Sequence, residues 1–126
     1  MTEKEALEKS LEMWIWLRDE ALEGRIHSKE DWFEKFQKSK AYNSCYLCQF
    51  ASDINSIGSM CKHCPVESWR ERCCILGVFS PYNIWEAGVY NVKRLERKEV
   101  IFMVVKGATK MVELLEQNLE RFKEDI

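Results

Sequence analysis

Two cysteine pairs in the middle of the chain carry the clearest chemical signal. Cys45 and Cys48 form one C-x2-C pair, twelve residues follow, and Cys61 and Cys64 form the second pair. Two sulfurs at this spacing can bind one ion from a tight turn, and the loop between the pairs can bring the other two sulfurs to the same ion. The spacing therefore predicts a tetrahedral thiolate metal site. Soft thiolate ligands favour zinc or an iron–sulfur centre over hard cations, so we expect zinc, with an iron–sulfur cluster as the alternative.

Three further residues near these pairs can donate to a metal. Cys73 and Cys74 follow nine and ten residues after Cys64, and either one can replace a cysteine of a pair or act as a cluster ligand. His63 lies between two expected ligands; we expect it beside the site, and it is an alternate donor. The chain has no P-loop, GxGxxG or GxSxG motif, and no nucleophile–base set is evident. The sequence therefore favours a binding role over catalysis.

The segments that must position the cysteines differ in charge. Residues 1–40 hold eight basic and ten acidic residues, whereas residues 41–85 hold three of each. All six cysteines lie in the charge-poor part, and glycine and proline are scarce, with five and two in 126 residues. The predicted fold class is mainly α, a small helical domain with a central thiolate metal-binding, zinc-knuckle-like insert. We expect one domain, with N-terminal helices in 1–40, the cysteine-rich segment in 41–80 and C-terminal helices in 81–126.

Two capping signals predict helices in the first arm. Thr2 and Glu5 form a capping box that opens a helix running to about Glu23. The run 28–31, Ser-Lys-Glu-Asp, is a second box that opens a shorter helix to about Lys40. Periodicity at 100° per residue predicts the apolar face of the first helix. The residues expected on that face are Leu7, Leu11, Trp14, Ile15, Ala21 and Leu22.

The closing arm is predicted to form one or two helices between Pro81 and Lys123. Ser80 is the expected cap, Pro81 suits a first helical turn, and Gly88 is expected to kink the helix or to allow close packing. Apolar residues then recur at spacings of three and four, which indicates a narrow seam. The seam consists of Ile101, Val104, Ala108, Met111, Leu115, Leu119 and Phe122. We expect it to pack on the first helix, with self-association into a homo-oligomer through this C-terminal helix as the alternative.

Trp16 is the candidate partner-binding residue. It stands on the charged face of the first helix, away from the expected core. A large aromatic there is an anchor for a protein partner, an incidental exposed residue, or a residue covered by the chain's own middle segment, which would also cover Met13. We predict that Trp16 is exposed and marks a contact surface.

The order of these motifs resembles that of small cysteine-rich proteins encoded by bacteriophages and prophages, mostly without an assigned function. The resemblance rests on a helix bearing Trp14, the pair Cys45-x2-Cys48, the run Cys61-x2-Cys64-Pro65, a further Cys73, and the run Ser80-Pro81-Tyr82. It spans most of the chain. It implies a viral or prophage accessory protein and brings no established activity with it.

Together these features predict a non-enzymatic, metal-stabilised interaction module that acts on a host protein. The first alternative is an iron–sulfur or redox-responsive protein. The second is a zinc-dependent nucleic-acid-binding protein, but the net charge of −2 disfavours it. The basic residues that keep the second alternative open are Arg70, Arg72, Lys93, Arg94, Arg97 and Lys98.

The sequence also predicts where the protein resides. The first residues are charged rather than signal-like, and the longest apolar run, 100–105, is only six residues long. Spanning a bilayer takes about 20 apolar residues, so we expect no membrane segment. We expect a cytoplasmic protein, in the bacterial host if the chain is phage-encoded.

Overall fold

Helices make up nearly all the regular structure of the chain. The computed structural model describes residues 1–39, 45–54, 63–69 and 80–123. Within them there are five α-helices and short 3-10 turns, without any strand, which confirms the mainly α fold class. The helices are α1 (Glu3–Leu22), α2 (Lys29–Lys35), α3 (Tyr46–Ile54), α4 (Pro81–Tyr90) and α5 (Arg97–Leu119), and the 3-10 turns are Glu67–Trp69 and Glu120–Phe122.

Both predicted capping boxes open their helices. Thr2 Oγ1 accepts from the Glu5 N–H at 3.1 Å, while Glu5 Oε1 accepts from the Thr2 N–H at 2.9 Å. The same exchange joins Ser28 and Asp31, at 3.0 and 3.4 Å. Each box satisfies two backbone donors that a helix start otherwise leaves without an intrahelical partner. The second helix ends at Lys35, however, and so is shorter than predicted.

The buried face of α1 differs from the expected one. Leu7, Trp14 and Ala21 are buried as predicted, but Leu22 is 61% exposed. The observed centre of the face lies near Ser10, about a quarter of a turn from the expected centre. Helix α1 contacts three helices, α5, α3 and α2, and its buried face is the one that meets all of them. The buried residues of α1 are Ala6, Leu7, Ser10, Met13, Trp14, Leu17 and Ala21.

The closing arm forms two helices that pack on each other. Ser80 Oγ accepts from the Asn83 N–H at 3.2 Å, and Pro81 takes the first position of α4, as predicted. Gly88 allows close packing, because a Cβ added there would lie 2.8 Å from Val104 Cγ2. At Gly107 the two helices are closer still, because a Cβ added there would lie 2.5 Å from the backbone N of Trp85 on α4. The chain turns between the two helices at residues 91–96.

The apolar seam of α5 faces the interior of the fold. Its buried residues pack with those of α1 and α4 in one core. Between α1 and α4, the Trp14 ring meets the Trp85 ring edge-on, with centroids 4.8 Å apart, and the Tyr82 ring at 6.2 Å. The packing of the seam on the first helix is therefore the arrangement observed. The buried residues of α5 are Val100, Val104, Gly107, Ala108, Met111, Val112 and Leu115.

The apolar run 100–105 lies within α5, inside the region where the closing helices were predicted. Six of the seven buried residues of α5, all but Gly107, belong to the hydrophobic core. None of the helices in the described ranges combines the length and the apolar character that crossing a membrane needs.

Candidate metal centre

The first cysteine pair lies at the start of α3, a helix that the sequence did not predict. Cys45 immediately precedes the first helical residue, Tyr46, and Cys48 lies in the first turn. The Cys48 N–H points at Cys45 Sγ, 3.4 Å away, and the Cys45 carbonyl accepts from the Gln49 N–H at 2.9 Å. Cys45 therefore caps the helix with its sulfur, as Ser or Asp caps others with oxygen.

The sulfur of Cys45 is held in a setting that favours the thiolate. The pKa of this thiol is lowered from 9.0 to about 6, mainly by a hydrogen bond from the Cys48 side chain. Burial opposes the shift, while the positive charge of Lys29 and the backbone N–H groups of Leu47 and Cys48 add to it. A thiolate is the form of cysteine that binds metal. The first pair thus has two neighbouring sulfurs, and the surroundings of one of them favour the thiolate form.

Helix α2 holds the start of α3 through aromatic contacts. The Tyr46 ring lies with its centroid 5.4 Å from that of Phe33 and 5.9 Å from that of Trp32. Lys29 precedes these two residues by four and three positions, so it shares their face of α2. Its side chain is only 8% exposed, and its Nζ lies 4.7 Å from the centroid of the Tyr82 ring on α4. The start of α3 is therefore packed beside a buried cation.

The segment that carries Cys64 is fastened to the end of α5. Cys64 is 8% exposed and packs in the hydrophobic core. Arg121 Nη2 donates to the Pro65 carbonyl at 2.6 Å, and Arg121 Nη1 lies 2.9 Å from a Glu67 carboxylate oxygen. Asn118 Oδ1 accepts from the Glu67 N–H at 3.0 Å. Cys64 therefore has a fixed position relative to the helical body.

The structure describes three of the four predicted ligands, together with the alternate donor His63. Cys45, Cys48 and Cys64 form no disulfide bond, and His63 is partly buried. Cys61 lies outside the described residues, as do the alternate donors, which are Cys73 and Cys74. Within the described ranges, no group of three or more His, Cys, Asp or Glu side chains is arranged to hold a metal ion. Cys64 and His63 are therefore not brought together with the first pair in a metal-holding group. The two neighbouring sulfurs of the first pair are a donor type that suits zinc, and a complete site there needs further donors from outside the described residues.

Trp16 is partly buried rather than exposed, so the prediction of its exposure is wrong. Its ring stacks on His27 with centroids 4.5 Å apart and meets Phe36 edge-on at 5.8 Å. The chain thus covers Trp16 in part, through residues on either side of α2. Met13, expected to be covered together with Trp16, is 1% exposed. The role of Trp16 in binding a partner stays a prediction. Phe36 beside it is 42% exposed, so part of this aromatic surface is open to solvent.

The burial of Lys29 in this region was not predicted from the sequence. A lysine in the first turn of a capped helix is most often solvated, so charge alone gave no reason to single it out. The signal was its spacing from Trp32 and Phe33, which places it on the apolar face of a short amphipathic helix.

Comparisons of the chain with family models, with curated proteins and with solved structures found no match.

Proposed function

We propose that the chain is a non-enzymatic interaction module whose cysteine segment binds one zinc ion through Cys45, Cys48, Cys61 and Cys64. In this proposal the metal is structural and holds the segment 41–80 against the helical body. Structural zinc contributes directly to folding free energy, because its ligands come together only in the folded chain.

The observation that carries the proposal is the geometry of the first pair. Its two sulfurs are neighbours at a helix start, where backbone N–H groups and a buried ammonium stabilise negative charge. Cys64 is independently fixed by Arg121. The first pair therefore offers a metal ion its first two ligands.

Elemental analysis tests the metal part of the proposal. Protein purified under reducing conditions with added zinc should contain about one zinc per chain, as a single tetrahedral site requires. Cys48→Ser should release the metal, because it removes one ligand of the first pair. Asp53→Asn is the matched control on α3, since it changes an exposed, non-sulfur residue and should retain the metal.

Three results would contradict this assignment. A wild-type protein that is fully folded without metal would remove the structural role of zinc. Iron together with visible absorption would replace it with the iron–sulfur alternative, because zinc sites are colourless. Equal zinc content in Cys48→Ser and the wild type would remove the first pair from the site.

The interaction role rests on the aromatic cluster formed by Trp16, His27 and Phe36 at the junction of α1 and α2. Partly buried aromatic side chains at a surface are the type of anchor that protein interfaces use most. The resemblance to small phage proteins supports a host protein as the partner.

Site-specific photo-crosslinking in bacterial cells tests the interaction role. A photoreactive phenylalanine analogue at position 36 should give an adduct of one defined mass, and Trp16→Ala should weaken it. The same analogue at Glu113, exposed on α5, is the control and should give none. A large loss of stability in Trp16→Ala with an unchanged adduct would show that the ring only stabilises the fold.

A further inference from the structure

The corner between α4 and α5 carries positive charge that forms no ion pair with the described carboxylates. Four exposed basic residues fall within six positions there, and they are Lys93, Arg94, Arg97 and Lys98. The other described arginines each pair with a carboxylate, and they are Arg18, Arg25 and Arg121. Arg97 differs from them, since its guanidinium donates to the Gly24 carbonyl and keeps its full charge. The corner therefore differs from the rest of the described surface in having unneutralised arginine and lysine side chains.

The acidic balance of the whole chain does not cancel this charge. Between residues 90 and 106 there are five basic and two acidic residues, although the chain has a formal net charge of −2. The two acidic residues are Glu96 and Glu99, which are exposed. Salt screens exposed charges beyond about 8–10 Å at physiological ionic strength, so acidic residues elsewhere act only weakly on the corner. The corner therefore attracts anions locally.

Two exposed aromatic rings flank this basic corner. Tyr90, the last residue of α4, is 72% exposed, and Phe102, on the second turn of α5, is 65% exposed. Gly88 lies against Val104 in the contact between the two helices, and the chain reverses direction between them, which places Tyr90 level with Phe102. Lys106 Nζ lies 5.8 Å from the centroid of the Phe102 ring. Each ring therefore has an open face, with positive charge close by.

We propose that the corner between α4 and α5 binds single-stranded nucleic acid. Surfaces that bind single strands combine basic side chains, which contact the phosphates, with aromatic rings on which the bases stack. Lys93, Arg94 and Lys98 supply the charge here, and Tyr90 and Phe102 supply the rings. A duplex would leave the rings without a partner, because its bases are already stacked on one another. The inference goes beyond the proposed function and requires no metal.

An acidic protein segment is the competing occupant, and the exposure of the rings favours nucleic acid over it. Carboxylates would use the basic side chains alone. Aromatic anchors of protein interfaces fill desolvated pockets, whereas Tyr90 and Phe102 stand in solvent at the ends of a helix pair. A planar base can stack on such a ring without a pocket around it.

Fluorescence anisotropy with a labelled single strand of about 12 nucleotides and mixed sequence tests the surface. The full chain, purified under reducing conditions with zinc, should bind the strand more tightly than a duplex of the same sequence. DNA and RNA strands are both measured, because they share phosphates and bases and differ in the 2′-hydroxyl. Three phosphate contacts should give a slope of about −2 in a plot of log K against log salt concentration, at about 0.7 per contact.

Substitutions separate the charge from the stacking. Lys93→Gln with Arg94→Gln should make the salt slope shallower by about 1.4. Phe102→Ala should weaken binding by about 5- to 150-fold, the effect of losing one stacked base, and Phe102→Trp should restore it. Lys4→Gln with Lys9→Gln is the matched control and should bind as the wild type does. It removes the same charge from exposed positions at the start of α1, whose other end lies beside the corner.

The possible results are distinguishable. Equal weakening in the two paired lysine or arginine variants would overturn the proposal, because binding would then follow total charge. Wild-type affinity in both Phe102→Ala and Tyr90→Ala would overturn it as well, and Tyr90→Ala carries the test if Phe102→Ala loses its helical circular dichroism. Displacement of the strand by polyglutamate at equal charge concentration would assign the corner to an acidic protein. A wild-type protein that binds neither strand at low salt would remove this surface and leave the zinc proposal standing.

Discussion

Gly107 is the point where α5 lies closest to α4, and Gly107→Ala tests that packing directly. A Cβ at this position would lie 2.5 Å from the Trp85 backbone N, 2.6 Å from its Cβ and 2.7 Å from its Cα, whereas ordinary contacts are 3.4–4 Å. The shortfall of about 1 Å is against backbone, which cannot turn aside as a side-chain end can. The substitution therefore requires the two helices to move apart.

The expected effect is the difference of two opposing contributions. Alanine in a helix is about 1 kcal/mol better than glycine. Overpacking a tight contact costs about 1–3 kcal/mol, and the backbone contact here places Gly107→Ala at the upper end of that range. We therefore expect a net loss of about 2 kcal/mol, equivalent to a fall of about 8 °C in Tm for a domain of this size.

Urea unfolding followed by circular dichroism measures this loss. Gly88→Ala is the matched comparison and should lose less, because its closest contact is Val104 Cγ2, a side-chain atom that can move. Lys110→Ala, exposed on the same helix, should change little. A gain of about 1 kcal/mol in Gly107→Ala would show that helix propensity alone acts there, and would refute the close approach of α4 and α5.

Two further substitutions test the core and the surface. Leu115 is fully buried, so Leu115→Ala should lower the free energy of unfolding by about 2–5 kcal/mol in urea; an unchanged midpoint would place its stripe at the surface. Hydrogen bonds from Arg25 and then His27 lower the pKa of Glu20 from 4.5 to about 2, so the stability these contacts give is present above pH 4.5 and is lost as the pH falls toward 2. Glu20→Gln should therefore lower Tm at neutral pH and match the wild type near pH 2, and a difference that does not vary with pH would contradict this.

Helix starts were predictable from sequence because their signals are local. Thr2, Ser28 and Ser80 each cap the helix predicted from them. A capping residue satisfies backbone donors two or three positions away, so its effect needs no knowledge of the rest of the fold. The burial of Leu115 was predictable for a similar reason, because the apolar stripe of a long amphipathic helix faces the protein core.

The features that depend on distant neighbours were not predictable in this way. Ser10, a polar residue, lies at the centre of the buried face of α1, so periodicity of apolar residues alone placed that face wrongly. Helix α3 was missed because its cap is a cysteine, which suggested metal chemistry and concealed a helix start. Lys29 became visible only once the aromatic contacts of α2 and α4 were known.

Arg121 also brings the start of α1 and the turn that follows α5 together. Its Nη1 lies 3.0 Å from Glu3 Oε1, so positions 3 and 121 are neighbours in space. The helices can therefore be connected in a different order along the chain without a change in how they pack. A short linker joining the present ends, with new ends opened at the exposed residues 92–94 between α4 and α5, would give a circular permutant that keeps the same helix contacts. The same adjacency lets the bundle be grafted as a unit into a surface loop, because both connections leave it at one point.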